Sequence, residues 1–226
     1  MSNKPFIVSN PILAAFVATI LLASVTLMSF VVLEPGVMYA ATDTFTVEQE
    51  ITAEIAFQTA ANNVTMAPAL AGITGGYASG TSTLAVTTNN VAGYTLTINF
   101  ADPVAMQYES GSDSIPNFVD GGPNAYNFSV SSGEAFFALA ASSTNIVAAF
   151  KNNGSACSAG ALISAAHCWT MNAIATTTLT LVDRNSSTPA AGEETIIGFR
   201  VGVNDPTPAL PAGFYNATAT LTALVK

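Results

Sequence analysis

Charge is scarce in this sequence, and side chains that carry chemistry are scarcer still. Its 226 residues include five Lys or Arg, fourteen Asp or Glu, one His, two Cys and one Trp. Beyond residue 40 the only cations are Lys151, Arg184, Arg200 and Lys226, and they are scattered. Phosphate-backbone binding needs several cations on one face, so nucleic acid is excluded as an expected partner. A single histidine cannot build a zinc centre without two or three further ligands. The glycines at 72, 75, 76 and 80 precede no Lys-Ser/Thr pair and no helix, so no phosphate loop is present. No cofactor is expected, no internal repeat is visible, and no linker divides the chain after residue 41.

Residues 5–33 carry no charge, and 12–33 are almost wholly apolar, behind the single cation Lys4. A basic start, an apolar core and small residues before a break describe an export signal. Pro35 and Gly36 supply the break, and "VMYAAT" offers a cut between Ala40 and Ala41. Met38 is larger than the small residue usual at that position, and the apolar run is long enough to span a bilayer as a retained anchor. Residues 1–40 therefore read as a signal peptide or an N-terminal membrane anchor, with the membrane as a partner through residues 12–33. Either way, residues 41–226 lie outside the cytoplasmic membrane as one domain.

That domain reads as β throughout. In "FTVEQEITAEIAF" (45–57), Phe45, Val47, Ile51, Ile55 and Phe57 share one phase with Gln49 and Ala53, while Thr46, Glu48, Glu50, Thr52 and Glu54 share the other. Period two collects these sets on opposite faces, which a helix would not do. A long half-buried strand, or two joined by a bulge, is expected there. "STLAVTT" (82–88) and "YTLTINF" (94–100) flank "NNVAG", which reads as a hairpin connection. Further strands are expected at 126–130, 134–140, 176–182, 195–203 and within "GFYNATATLTALV". Turn-rich loops are expected at 75–80, 109–124 and 204–213, with one short helix within "STNIVAAFKNNGS". The fold class is all-β: an antiparallel β-sandwich, Ig-like or jelly-roll-like, after one N-terminal hydrophobic helix.

Cys157 and Cys168 are the only cysteines, and both follow the export segment. In an oxidising compartment they are expected to form a disulfide, shielded by Trp169. Closing so short a loop stabilises a domain by roughly 2–3 kcal/mol in the chain-entropy treatment. The nearby "ALISAAHCWT" resembles the histidine segment of chymotrypsin-like serine proteases over about nine residues. That family needs a later serine in Gly-Asp-Ser-Gly-Gly, which is missing. After His167 only Ser186 and Ser187 remain, close behind Asp183 and without flanking glycines. The match reads as coincidence, and no catalytic residue is assigned. For metals, Glu109, Asp113 and Asp120 in one polar loop are the candidate oxygen ligands for calcium, although no Asp-x-Asp-x-Asp-Gly run accompanies them.

Five segments, "NVTMAPALAGITGG", "VTTNNVAGYTLTI", "FKNNGSACSAG…CW", "TPAAGEETIIGFRVGV" and "YNATATLTAL", together resemble exported β-domain surface proteins of candidate-phyla bacteria (Patescibacteria). The likeness spans most of residues 60–226, in order. It implies a surface-located β domain in which the cysteine pair and tryptophan recur and the histidine is not required. The resulting expectation is an extracellular or cell-surface protein, structural or adhesive and not an enzyme. Its partners would be a cell-surface glycan or protein, or further copies of itself. Alternatives are a pilin-like subunit that polymerises by strand donation from residues 45–57, and a secreted hydrolase.

Overall fold

The computed structural model describes residues 11–32, 41–119, 127–151, 162, 168–171 and 178–226. The chain divides into two compact units, Met1–Glu50 and Ile51–Lys226. Residues 41–50 are exposed and belong to no strand.

The first unit holds one helix, α1 (Pro11–Val32). Its hydroxyls bond back to carbonyls one turn earlier: Thr19 Oγ1 to Ala15 O at 2.7 Å, Ser24 Oγ to Leu21 O at 2.8 Å, and Thr26 Oγ1 to Leu22 O at 2.9 Å. These polar groups therefore make no demand on water. Among the described residues, no helix is long and apolar enough to cross a membrane. The side chains described in α1 are those of 15–26 only, shorter than the 22 residues of the helix itself.

The second unit is antiparallel β. Its strands are β1 (Ile55–Thr59), β2 (Gly76–Thr88), β3 (Tyr94–Phe100), β4 (Met106–Tyr108), β5 (Ser114–Ile115), β6 (Glu134–Ser142), β7 (Leu179–Arg184), β8 (Glu193–Asn204), β9 (Tyr215–Asn216) and β10 (Ala219–Val225). They form a four-stranded sheet in the order β1-β2-β8-β6, a three-stranded sheet β10-β3-β7 and a small sheet β5-β4-β9. The two larger sheets share one core. Phe100 of β3 meets Phe137 of β6 edge to face at 6.0 Å, and Leu84, Val86, Leu96, Ile98, Leu181 and Val182 are all buried. The strand orders describe a sandwich without singling out its Ig-like or jelly-roll form.

Several expectations need correction. Of the strand expected at 45–57 only Ile55–Thr59 forms; residues 45–54 belong to no strand and are exposed. The strands at 82–88 and 94–100 exist, but they do not pair as a hairpin. β2 lies in one large sheet and β3 in the other, and "NNVAG" arches between them. Leu84 and Val86 of β2 and Leu96, Ile98 and Phe100 of β3 are buried, and they bury by facing each other across the core. Gly93 makes the arch possible, with φ +85° and a backbone so close to Arg184 O that a Cβ would lie 2.0 Å from it. The loop expected at 75–80 is strand from Gly76 onward, since β2 pairs with β8 from Gly76↔Val203 to Val86↔Glu193. Gly80 is there for space: a Cβ would lie 2.4 Å from Val64. Residues 127–130 form no strand, yet Phe128 and Val130 are buried. The loop at 109–124 contains β5, and the expected short helix is a single 3-10 turn, Ala148–Phe150. Residues 176 and 177, expected in β7, residues 120–124 of the loop and residue 126 of the strand expected at 126–130 lie outside the described residues.

Phe128 and Val130 explain a pattern that alternation does not capture. In β6, Phe137, Leu139 and Ala141 point into the shared core, while Ala138 and Ala140 point the other way and are equally buried. The four-stranded sheet is covered on both faces. Its outer face receives Phe118, Phe128 and Trp169, which stack as a row: Phe118–Phe128 at 5.0 Å and Phe128–Trp169 at 6.0 Å. Gly198 and Gly202 of β8 clear room for this layer. A Cβ on Gly202 would lie 2.4 Å from Val130 Cγ2 and 2.9 Å from the Phe128 ring.

Gly202→Ala should therefore destabilise the sandwich by about 1–3 kcal/mol through overpacking. Thermal unfolding followed by the fluorescence of Trp169, the only tryptophan, measures it; an unchanged melting temperature would contradict the two-sided packing.

Candidate functional site

The densest polar constellation sits where β7 ends and β8 begins. Arg184 is the last residue of β7 and Glu193 the first of β8, so the two belong to opposite sheets. The intervening loop closes on Gly192, at φ +79°, whose N–H donates to Pro189 O at 2.9 Å. This brings Arg184 Nη1 to 2.9 Å from Glu193 Oε2, with the Glu193 side chain 3% exposed.

A carboxylate buried to that degree must be surrounded by donors. Glu193 Oε1 accepts from Ser143 Oγ at 2.6 Å, from the Asn145 backbone N–H at 2.9 Å and from Asn145 Nδ2 at 3.0 Å. Oε2 accepts from Arg184, from Asn145 Nδ2 at 3.1 Å and from the Tyr94 hydroxyl at 3.4 Å. Arg184 spends its remaining donors on backbone, with Nε to Ser186 O at 2.9 Å and Nη2 to Ser187 O at 2.6 Å. Tyr94 opens β3, and Ser143 and Asn145 follow β6. One carboxylate thus gathers β3, β6, β7 and β8, two strands from each large sheet.

Burial pushes the Glu193 pKa up, but hydrogen bonds from Ser143, Asn145 and Arg184 outweigh it and hold the group below the usual carboxylate range. The Tyr94 hydroxyl moves the other way, raised by burial and by the Glu193 charge against the opposing pull of Arg184. A carboxylate held so firmly ionised is a poor base for a serine hydroxyl, so the Ser143–Glu193 contact does not make a nucleophile. Beside the network lies an open depression of about 480 Å³ lined by Ser142, Ser143, Thr144, Arg184, Pro189 and Glu194, among others. Its walls offer hydroxyls and charges for polar contacts.

A second charge lies deep in the outer layer. The Arg200 guanidinium sits 4.8 Å from the Tyr77 ring centroid, 5.7 Å from Phe128 and 6.0 Å from Trp169. Burial lowers its pKa, with Tyr77 pulling in the opposite direction. Ring faces attract a cation, so this cage holds the outer layer to β8.

The residues singled out from the sequence are dispersed. Cys168 is buried, and no free thiol occurs among the described residues. Cys157 and His167 lie outside the described residues, as does Asp120. Asp183 is bound by Lys226, and the carbonyls of Ser186 and Ser187 serve Arg184. Glu109 follows β4 and accepts from Asn216 Nδ2 at 3.5 Å, while the Asp113 carbonyl takes the Tyr108 N–H at 2.9 Å to close the β4–β5 turn. The Asp113 charge helps burial raise the Tyr215 pKa. Among the described residues, no three Asp, Glu, His or Cys side chains gather in a way that could hold a metal ion.

Sequence reasoning missed Glu193, Arg184 and Tyr94 as a group. A signal existed: Glu193 is in phase with Ile197 and Val201, which puts a carboxylate on a buried face. No family model, no curated protein and no solved structure matches this chain.

Glu193→Gln should cost about 3–5 kcal/mol, because it leaves Arg184 buried without its counter-charge. Replacing Arg184 and Glu193 together by Met and Leu should cost less than either single change, a relation that chemical denaturation of the four proteins checks. The folded pKa of Glu193 is depressed, so its contribution is complete above the unfolded value near 4.3 and fades as pH falls toward the folded value. The parent should lose stability on acidification below about pH 4.5 more steeply than Glu193→Gln; parallel acid-unfolding curves would contradict the latch. Thr195 Oγ1, fully buried, has no partner among the described residues. Thr195→Val should therefore raise stability by about 1 kcal/mol, read from the same denaturation curves.

Proposed function

We propose that this chain is an exported, non-catalytic β-sandwich of a bacterial cell surface, structural or adhesive in role. The observation that carries this reading is how the chain spends its charges. The densest set of ionisable groups among the described residues, Arg184, Glu193 and Tyr94, is consumed in tying two sheets together. Little is left over for general acid–base or nucleophilic work. On β3 and β10 the outward phase carries Thr95, Thr97, Asn99, Thr220 and Thr222, a surface suited to contact with polar, uncharged partners such as glycans or other surface proteins. Residues 12–33 act as the export element and, if retained, as the membrane anchor. Their sequence is free of charge, and the hydroxyls of Thr19, Ser24 and Thr26 are satisfied within the helix.

Outside the cytoplasm Cys157 and Cys168 form a disulfide. The burial of Cys168 beside the fully buried Trp169 supports this, because the bridge would then pin the outer layer onto the four-stranded sheet.

The test is surface labelling. A membrane-impermeant amine reagent applied to intact expressing cells should label the chain, with mass spectrometry of the mature N-terminus distinguishing a start at Ala41 from a retained helix. Labelling only after lysis would refute export. Under non-reducing digestion the peptides holding Cys157 and Cys168 should travel together, and reduction should lower the unfolding free energy by roughly 2–3 kcal/mol. Free thiols at both positions in surface material would remove the bridge.

A further inference from the structure

The two flanks of the sandwich differ. On one flank the edge strands β6 and β7 are capped. Phe137 N–H donates to Pro116 O and Phe118 N–H to Phe137 O, Leu139 and Thr170 bond each other, Val147 N–H donates to Leu181 O, and Asp183 N–H donates to Asn145 O. On the other flank β1 and β10 approach each other from their two sheets. There, among the described residues, no backbone hydrogen bond caps the outer edge of either strand.

The core is correspondingly uncovered on that side. Phe57 pairs with Val86, which is fully buried, so both side chains share the inner face; yet Phe57 is 40% exposed. In β10, Leu221, Ala223 and Val225 pair with Ile98, Leu96 and Tyr94, all buried. Leu221 and Ala223 nevertheless remain half-exposed, and Val225 is 40% exposed. The free edge also has usable backbone. Ala101 N–H bonds Thr218 O and Lys226 N–H bonds Gly93 O, so even-numbered residues of β10 face β3. By antiparallel alternation, the N–H and C=O groups of Ala219, Leu221, Ala223 and Val225 point outward. The flank is an apolar groove with an unpaired strand along one wall.

The same chain carries an unpaired strand sequence of the right form. Phe45, Val47 and Ile51 are 86%, 82% and 83% exposed; they share one phase with Gln49 and alternate with Thr46, Glu48 and Glu50. Residues 45–51 equal in length the 7 residues of β10. They cannot easily serve their own copy. Thr52 and Glu54 are pinned by Asn89, with Nδ2 to Thr52 O at 2.9 Å and Glu54 N–H to Oδ1 at 2.7 Å. That anchor is at the arch, where β10 also finishes against Gly93 and Asn90. A strand preceding Thr52 would have to reverse direction to lie along its own β10. Residues 41–66 contain neither Gly nor Pro to make that turn.

We propose that the β1/β10 flank is a strand-acceptor site, and that its occupant is residues 45–51 of a second copy of this chain. The inference rests on the reading of the protein as a structural surface component. The donated strand adds to the edge of β10 and lays Phe45, Val47 and Ile51 into the groove against Leu221, Ala223, Val225 and Phe57. Glu48 and Glu50 stay in water. Each copy then carries one donor and one acceptor, so association is head-to-tail and open-ended, the geometry of a filament.

Sedimentation of the full chain in mild detergent micelles tests this with three proteins. The parent should form oligomers that grow with concentration beyond the dimer. Val47→Asp should weaken association by about a hundredfold or more, since a lone carboxylate would enter an apolar groove. Val47 is exposed in the isolated chain, so this change does not threaten folding. Ala223→Pro blocks an outward N–H of the acceptor without removing a bond to β3 and should also be monomeric. Should Ala223→Pro melt below the parent, Val225→Lys replaces it as the acceptor-side change. Mixed with Val47→Asp, whose groove is intact, either acceptor variant should form a heterodimer that grows no further. A monomeric parent, oligomers that persist in Val47→Asp, or a mixture that stays monomeric would each overturn the acceptor site. Failed surface labelling with this assembly pattern intact would instead refute the location and leave the site standing.

Discussion

Strand β8 is bonded along both edges, to β2 from Gly76 to Val86 and to β6 from Glu134 to Ser142, and it is covered on both faces. Between Thr195 and Val203 a strand so enclosed has no room for a large excess of volume, and only Glu194 and Asn204 near its ends are exposed. Its composition follows from that constraint. Ile197, Val201 and Val203 fill the core, and Gly198 and Gly202 yield space to the outer layer. The Arg200 guanidinium lies among three aromatic rings, whose faces attract a cation. The outer layer is therefore part of the folding unit, and Phe118, Phe128 and Trp169 belong to the core as much as Leu84 or Ile98 does.

The few charges are placed with the same economy. Glu193 stands at the one end of β8 where four strands converge, and its charge is matched by Arg184 from the facing sheet. Aligned sheets packed through apolar side chains can slide with little penalty, whereas a carboxylate with donors on β3, β6 and β7 admits one register. Buried ion pairs contribute little net stability against well-packed apolar residues. The role of this one is to specify how the sheets meet. That use engages both charges of the pair, while the neighbouring Glu194 stays exposed.

The surface in turn is uneven. One flank is sealed by residues 143–151 and 168–171, and the other leaves Phe57 and Val225 partly in water. Natural sheets seldom leave an apolar edge uncovered, since it templates association. Under the surface role proposed above, such an edge would serve assembly, with residues 45–51 of a second copy as its complement.

Period-two alternation by itself determined where most strands lie. Tyr94, Leu96, Ile98 and Phe100 are buried in β3, as their phase requires, and the apolar phase of β8 and the edge strand β10 were equally readable. The all-β class followed, because alternation reports a half-buried strand wherever the partner lies. Only the tertiary structure decided which sheet each strand joins. "NNVAG" can serve a hairpin or an arch, and the choice depends on a core that must receive Leu84 and Leu96 from opposite sides. It also decided that Gly76 and Gly80 are strand residues, since the close approach of Val64 cannot be read from neighbours in sequence. At 45–54 alternation was present without a strand, because a pattern states only which face would be buried if a partner came. Glu193 meets Arg184 nine residues away and Tyr94 ninety-nine away. Such a meeting is made by chain topology, and local pattern carries no record of it.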